Sequence, residues 1–180
     1  MADWGKGELG QLVTITPKHI LSLGPAFSTD AWASAVYVAA NRAIFFPFRI
    51  PHPLLVVKLF AANGTVVSGN IDVGIYDVAG TRLVSSGSTL QAGISAIQEF
   101  NIADTLLGPG LFYLAVAMDN VTGTLFRGSS GGTAPVPLEL LVTQGMAQQA
   151  TAFPLPATAT FAQVAQDYIP VIGLTTRVLI

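Results

Sequence analysis

The sequence predicts an all-β protein: an antiparallel β-sandwich of jelly-roll or related Greek-key type, with extended N- and C-terminal arms. Three observations predict this. Most segments alternate apolar and polar residues with period two. Eighteen glycines and eleven prolines punctuate them, and no long stretch repeats apolar residues at helical spacing. Eight or more short strands without intervening helices fit two stacked antiparallel sheets. The chain has 180 residues, enough for a single core. Within one domain, it divides into an N-terminal arm or assembly segment over 1–39, a sandwich core over 40–144, and a C-terminal extended arm with a final strand over 145–180.

In chain order, "GQLVTITPK" alternates Leu9, Gln11, Val13 and Ile15 against Leu12, Thr14 and Thr16, which predicts a peripheral first strand. "STDAWASAVYVAANRA" reads two ways. Ser28, Thr29 or Asp30 could cap a helix carrying Trp32, Ala35, Val36 and Ala39, but β-branched and aromatic residues gather towards its end and favour a strand from about Val36. "AIFFPFRIP" puts Ile44, Phe46, Phe48 and Ile50 on the core side, with Phe45, Pro47 and Arg49 opposite. Pro47 has no N–H for a ladder, so it calls for a sheet edge or a bulge. After the stiff "PHP" corner, "LLVVKLFAA" resumes extended structure, and Asn63-Gly64 predicts a positive-φ turn before "TVVSGN".

"NIDVGIYD" places Ile71, Val73 and Ile75 on one face and Asp72, Gly74 and Tyr76 on the other. "DVAG" turns the chain into "TRLVSSG". Gly74 in mid-strand marks a bulge or a close approach by a neighbouring chain. Beyond the polar loop "STLQAGIS", "IQEFNI" alternates again, and "GPG" launches "LFYLAVAMD". Both faces of that run are apolar, Phe112, Leu114, Val116 and Met118 against Leu111, Tyr113, Ala115 and Ala117, which predicts a central strand covered on both sides. "NVTG" turns into "TLFRG", "SSGGTAP" has the composition of a loop, and "VPLELLVTQ" predicts another strand. "GMAQQATAFPLPATAT", almost free of charge, reads as an arm. "VIGLTTRVLI" closes the chain as a strand whose apolar end must be tied down by its own sheet or a neighbour.

Charged residues make up 10% of the chain and apolar residues 51%, against about 25% charged in an ordinary soluble domain. No run is long and apolar enough for a spanning helix, because "AIFFPFRIPHPLLVVKLFAA" is interrupted by Pro47, Arg49, Pro51, His52, Pro53 and Lys58. The start "MADWGKGELG" lacks the apolar core of a secretory signal. These readings predict neither membrane nor nucleic-acid partners, the eight basic residues being scattered singly. The charge deficit predicts surfaces that meet neighbouring subunits.

No catalytic, cofactor or metal constellation emerges, so the expectation is a protein that is not an enzyme and holds no cofactor. His19 and His52 stand far apart without companion carboxylates. No GxSxG elbow is present, and "RGSSGGT" lacks the lysine and helix of a phosphate loop. Asp72, Asp77, Asp104 and Asp119 read as strand-end and turn formers, and only convergence in space would make them calcium ligands. Asp72 and Glu99 would form a glycosidase pair only at about 5 to 9.5 Å separation. Among the aromatic residues, Trp4, Trp32 and Tyr76 are the candidates for interface or glycan contact. Trp4, near a terminus, is the interface anchor of choice.

The stretches "ANRAIFFPFRI", "SGNIDVGIYDVAGTRLVSSGST" and "LLGPGLFYLAVAMDNVTGT", spanning about 40–128, resemble β-sandwich structural proteins of tailed-bacteriophage virions. The resemblance implies a capsid-associated, tail or fibre component, made in the host cytoplasm and located in the virion. Its partners would be copies of itself and other virion proteins. The alternative is a carbohydrate-binding receptor-adhesion module that contacts a host surface glycan.

Overall fold

A computed structural model describes residues 18–21, 33–127, 146–163 and 168–177. Among them every regular element is a strand, and none is a helix. The strands are β1 (Lys18–Leu21), β2 (Ala33–Val36), β3 (Ala43–Ile50), β4 (Leu54–Ala62), β5 (Asn70–Asp77), β6 (Arg82–Ser85), β7 (Thr89–Leu90), β8 (Ile97–Leu107), β9 (Gly110–Met118), β10 (Thr124–Arg127), β11 (Ala147–Gln149), β12 (Ala162–Gln163) and β13 (Ile172–Arg177).

They form an antiparallel β-sandwich. One sheet has the order β1-β13-β4-β8. The other runs β12-β11-β3-β9-β5-β6, with β7 also on β5, and β2 pairs with β10 in a small third sheet. At the "PHP" corner β3 leaves the second sheet and becomes β4 in the first, while Gly108 and Pro109 carry β8 back into β9 beside it. Ile50 pairs with Gly110 and Leu54 with Leu107, so a paired ribbon folds over from one sheet to the other at this end.

The period-two faces separate as the side chains require. Ile44, Phe46, Ile71, Val73, Ile75, Leu114 and Val116 meet Val56, Leu59, Ala61, Phe100, Ile172 and Leu174 in the core between the sheets. The opposite face of the second sheet carries its own cluster of Phe45, Tyr76, Ala115 and Ala117, closed by Ala152, Leu155 and Ala159 from the C-terminal segment. β9 is therefore covered on both faces, as its two apolar stripes predict. Pro47 pairs across to Tyr113 on β9, whereas β11 stops opposite Phe45. The proline thus sits where the other margin of β3 has run out of partner, which its missing N–H tolerates.

Several expectations are corrected. The second strand ends at Val36 instead of beginning there, because Tyr37 turns inward and its hydroxyl donates to the Arg42 and Val116 carbonyls, both at 2.8 Å. Asn63-Gly64 is no positive-φ turn: the positive-φ residues of this region include Gly69 and not this pair. Gly64 is needed for closeness, since a Cβ there would collide with Ser34 Oγ and Thr124 Oγ1. Gly74 does mark a close approach, but by the same chain. A Cβ would lie 2.9 Å from Leu155 Cδ1 and 3.0 Å from the Val84 carbonyl.

Of the stretch read as an extended arm, 145–160, residues 146–160 are described, and they lie along their own sandwich. β13 is likewise interior to its sheet, between β1 and β4. Most of "GQLVTITPK", the strand predicted in "VPLELLVTQ", and Val178 to Ile180 fall outside the described residues.

Candidate functional site

Among the described residues, the sequence-predicted site residues do not converge. Trp4 and Trp32 lie outside the described residues. Tyr76 is fully buried; its ring stands edge-on to Phe45, centroids 5.2 Å apart, and its hydroxyl donates to the Pro156 carbonyl at 2.6 Å. Tyr76 is thus a corrected expectation: it offers nothing to a glycan, because the C-terminal segment covers the face it projects from. Tyr37 and Tyr168 are buried as well, and half-buried Tyr113 packs on Phe161 at 4.5 Å.

Asp72 and Glu99 point away from each other. Asp72 shares the outer face of the second sheet with Tyr76, whereas Glu99 lies on the outer face of the first, where it receives Lys58 Nζ at 2.5 Å. Both sheets, themselves about 10 Å apart, stand between the two carboxyls. That exceeds the span over which a carboxylate pair cleaves a glycoside.

Nor do the aspartates cluster. Asp77 caps its own turn through the amides of Ala79 and Thr81, Asp104 lies 4.0 Å from Arg177, and Asp119 sits at the opposite end. Asp72 is no turn residue but a buried mid-strand carboxylate. His52 is an exposed corner residue. Among the described residues no group of three or more His, Asp or Glu is placed to hold a metal ion.

Asp72 serves the fold. Its Oδ2 accepts from the Leu155 amide at 3.0 Å and its Oδ1 from Ser86 Oγ at 3.2 Å. Arg82 Nη1 donates to the Leu155 carbonyl, so a carboxylate and a guanidinium grip the two ends of one residue's main chain. Burial pushes the Asp72 carboxyl above its ordinary range, and the Leu155 and Ser86 hydrogen bonds and Arg82 offset this only in part.

The feature left for function is one end of the sandwich, built from three loops, 63–69, 91–96 and 119–123, with the strand ends beside them. Beneath it lies a buried amide network. Gln91 Nε2 donates to Asn63 Oδ1 at 3.0 Å and to the Thr124 carbonyl at 2.9 Å, while Gln91 Oε1 accepts from the Ser68 amide. Asn63 Nδ2 donates to the Ala92 carbonyl at 2.6 Å and to Gln98 Oε1 at 2.9 Å. Thr124 Oγ1 accepts the Val66 amide and donates to the Val66 carbonyl, both at 2.9 Å. Buried polar groups are costly unless paired, and here the pairing fixes all three loops to one another.

In these loops Val66, Ile94 and Val121 are exposed; on the strand ends beside them Val36, Leu90 and Ile97 are exposed too, Leu90 on the outer face of the second sheet with Asn70 and Ile97 on the outer face of the first with Glu99. The loops contain no lysine or arginine, and their one charge is Asp119. Slight desolvation raises the Asp119 carboxyl, and hydrogen bonds from Asn120 and Asn70 outweigh it and hold the group below the ordinary carboxylate range. Sequence reasoning missed this loop end, although the scarcity of charge in 63–69, 91–96 and 119–123 was visible in the sequence.

Compared with known protein families, curated proteins and solved structures, the chain matches none.

Proposed function

We propose that this chain is a non-enzymatic structural subunit of a phage virion, a capsid-associated, tail or fibre component that works by being assembled with copies of itself. The observation that carries the reading is a chain with 10% charged and 51% apolar residues, whose braced loops 63–69, 91–96 and 119–123 bear Asp119 as their one charge and leave Val66, Ile94 and Val121 exposed. Scattered exposed apolar residues are ordinary, but a chain this poor in charge suits surfaces that meet neighbouring subunits. The virion assignment draws on the resemblance carried by 40–128, and the sandwich supports it as a scaffold whose buried carboxylate and amides are spent on holding loops and segments in place.

The test is direct. Purified chain at micromolar concentration runs as an oligomer in light scattering, and antibody against it decorates purified particles in negative-stain micrographs. A monodisperse monomer together with unlabelled particles overturns the reading. The glycan-binding alternative has lost Tyr76 from its platform and gains no observation in exchange.

A further inference from the structure

We infer that residues 152–159 form a proton-controlled clasp: they lie closed over the outer face of the second sheet while Asp72 carries a proton, and loss of that proton favours their opening. The inference goes beyond the assembly reading and does not depend on it.

The clasp is held at several points. Leu155 is buried beside Gly74, and Tyr76 donates to the Pro156 carbonyl at 2.6 Å. The Arg82 amide donates to the Ala157 carbonyl at 2.9 Å, and the Ala159 amide donates to the Gly80 carbonyl at 2.7 Å. At the centre the Leu155 amide donates to Asp72 Oδ2 at 3.0 Å, and Asp72 is left with no exposed surface. Residues 146–163 contain no charged side chain, so whatever titrates under the clasp belongs to the sheet.

That seat suits the acid better than its anion. A buried carboxylate gives up the water that hydrates its charge and needs donors in exchange. The donors Asp72 receives are neutral: the Leu155 amide, Ser86 Oγ and, more weakly, Ser85. Ser86 Oγ stands 3.2 Å from both Asp72 Oδ1 and the Gly87 carbonyl, and it accepts from the Val73 amide at 2.9 Å. With Oδ1 protonated, the carboxyl donates to Ser86 Oγ and the Ser86 hydroxyl turns to the Gly87 carbonyl, while Oδ2 keeps the Leu155 amide. Protonation thus breaks no bond to the clasp. Once the proton is gone, water reaches the anion only when the clasp lifts.

The other charges do not reverse this. Among the described residues Arg82 is the one charge that acts on Asp72, and its Nη1 is committed to the Leu155 carbonyl. Tyr76 shares the face, but burial pushes its hydroxyl well above the ordinary range and keeps it neutral. Asp77 is turned to its own loop, Arg42 donates to Gln148 Oε1, and Arg49 is exposed at the far end of β3. β7 and β9 carry no charge, and Tyr113 on β9 packs against Phe161. Burial therefore outweighs the opposing bonds and holds the closed-state carboxyl above its ordinary value of 3.8. The closed form is favoured in full below pH 3.8 and loses that advantage as pH rises through the raised value.

The test is native-state amide exchange on the full chain from about pH 4 to about pH 8, each observed rate divided by its intrinsic rate to give an opening constant. The constants at the Leu155 and Ala159 amides should rise by up to about tenfold per pH unit and level off once the closed-state carboxyl is ionised. The Leu114 and Val116 amides of β9, paired on both sides, open only with the whole sandwich and should exchange far more slowly. Asp72→Asn should give a flat profile at Leu155 and Ala159. A wild-type profile that is flat or falls with pH overturns the proposal, as does exchange of Leu155 and Ala159 only at the β9 rate, or a rise that persists in Asp72→Asn. Should that variant fail to fold, the wild-type profile set against the β9 amides decides alone.

Discussion

Asp72 and Asn63 show how single buried groups govern this fold. Burial raises the Asp72 pKa above its ordinary value of 3.8, so the folded state holds that proton more tightly than the unfolded chain does. Its contribution to stability is therefore complete below pH 3.8 and is lost as pH rises through the folded-state pKa. Asp72→Asn keeps an acceptor for the Leu155 amide and removes the ionisation. The variant is expected to be at least as stable as wild type at pH 7, with a flatter dependence of urea midpoint on pH above 4; a midpoint that falls at pH 7 with the slope unchanged would contradict this. Asn63 has the opposite logic. Its Nδ2 donates to two acceptors, the Ala92 carbonyl and Gln98 Oε1, and a carboxylate there would donate to neither. Asn63→Asp should cost about 3 kcal/mol or more at pH 7, by urea denaturation, and recover partly in acid as the carboxyl regains a proton to donate.

At the scale of elements, the C-terminal segment is a strap fixed across the outer face of the second sheet. Leu155 is fully buried beside Gly74, Tyr76 donates to the Pro156 carbonyl, and the Ala159 amide donates to the Gly80 carbonyl at 2.7 Å. Leu155→Ala opens a cavity in this secondary cluster and should cost about 2 to 4 kcal/mol, with faster amide exchange along 152–159. Tyr76→Phe removes one hydrogen bond and should cost about 1 kcal/mol; equal losses in the two variants would mean that the strap is not held chiefly by Leu155. The strands under the strap were legible, because "IFFPFRI", "NIDVGIYD" and "LFYLAVAMD" alternate cleanly and each alternation is a local property of the pleat. The double cover of β9 was legible for the same reason. The strap as the covering element was not. Its Ala, Gln, Thr and Pro carry no period, and its anchors Asp72, Tyr76 and Arg82 are distant in sequence. The loop end escaped for a related reason: Asn63, Gln91 and Gln98 have the composition of solvated loop residues, and only tertiary packing buries Asn63 and Gln91 and turns all three into a brace. Tyr76 was misread because alternation gives a residue's face and not what covers that face.

For the whole molecule, the distribution of charge decides how copies should respond to their surroundings. Among the described residues, β13 is held between β1 and β4, and 146–163 lies along its own sandwich. A contact held by ion pairs weakens as salt shortens the screening length from ~30 Å at ~0.01 M to ~3 Å at ~1 M. A contact held by aliphatic burial has no such term, and a well-excluded salt such as sulfate strengthens it. Because only 10% of the chain is charged, raising sodium chloride from about 0.05 M to about 1 M should leave the association constant within about threefold, and ammonium sulfate should raise it. Sedimentation equilibrium across that series checks this. Dissociation of the oligomer by sodium chloride would place the contact on charged surface, with Lys58, Glu99, Asp104 and Arg177 on the first sheet as the groups to mutate next.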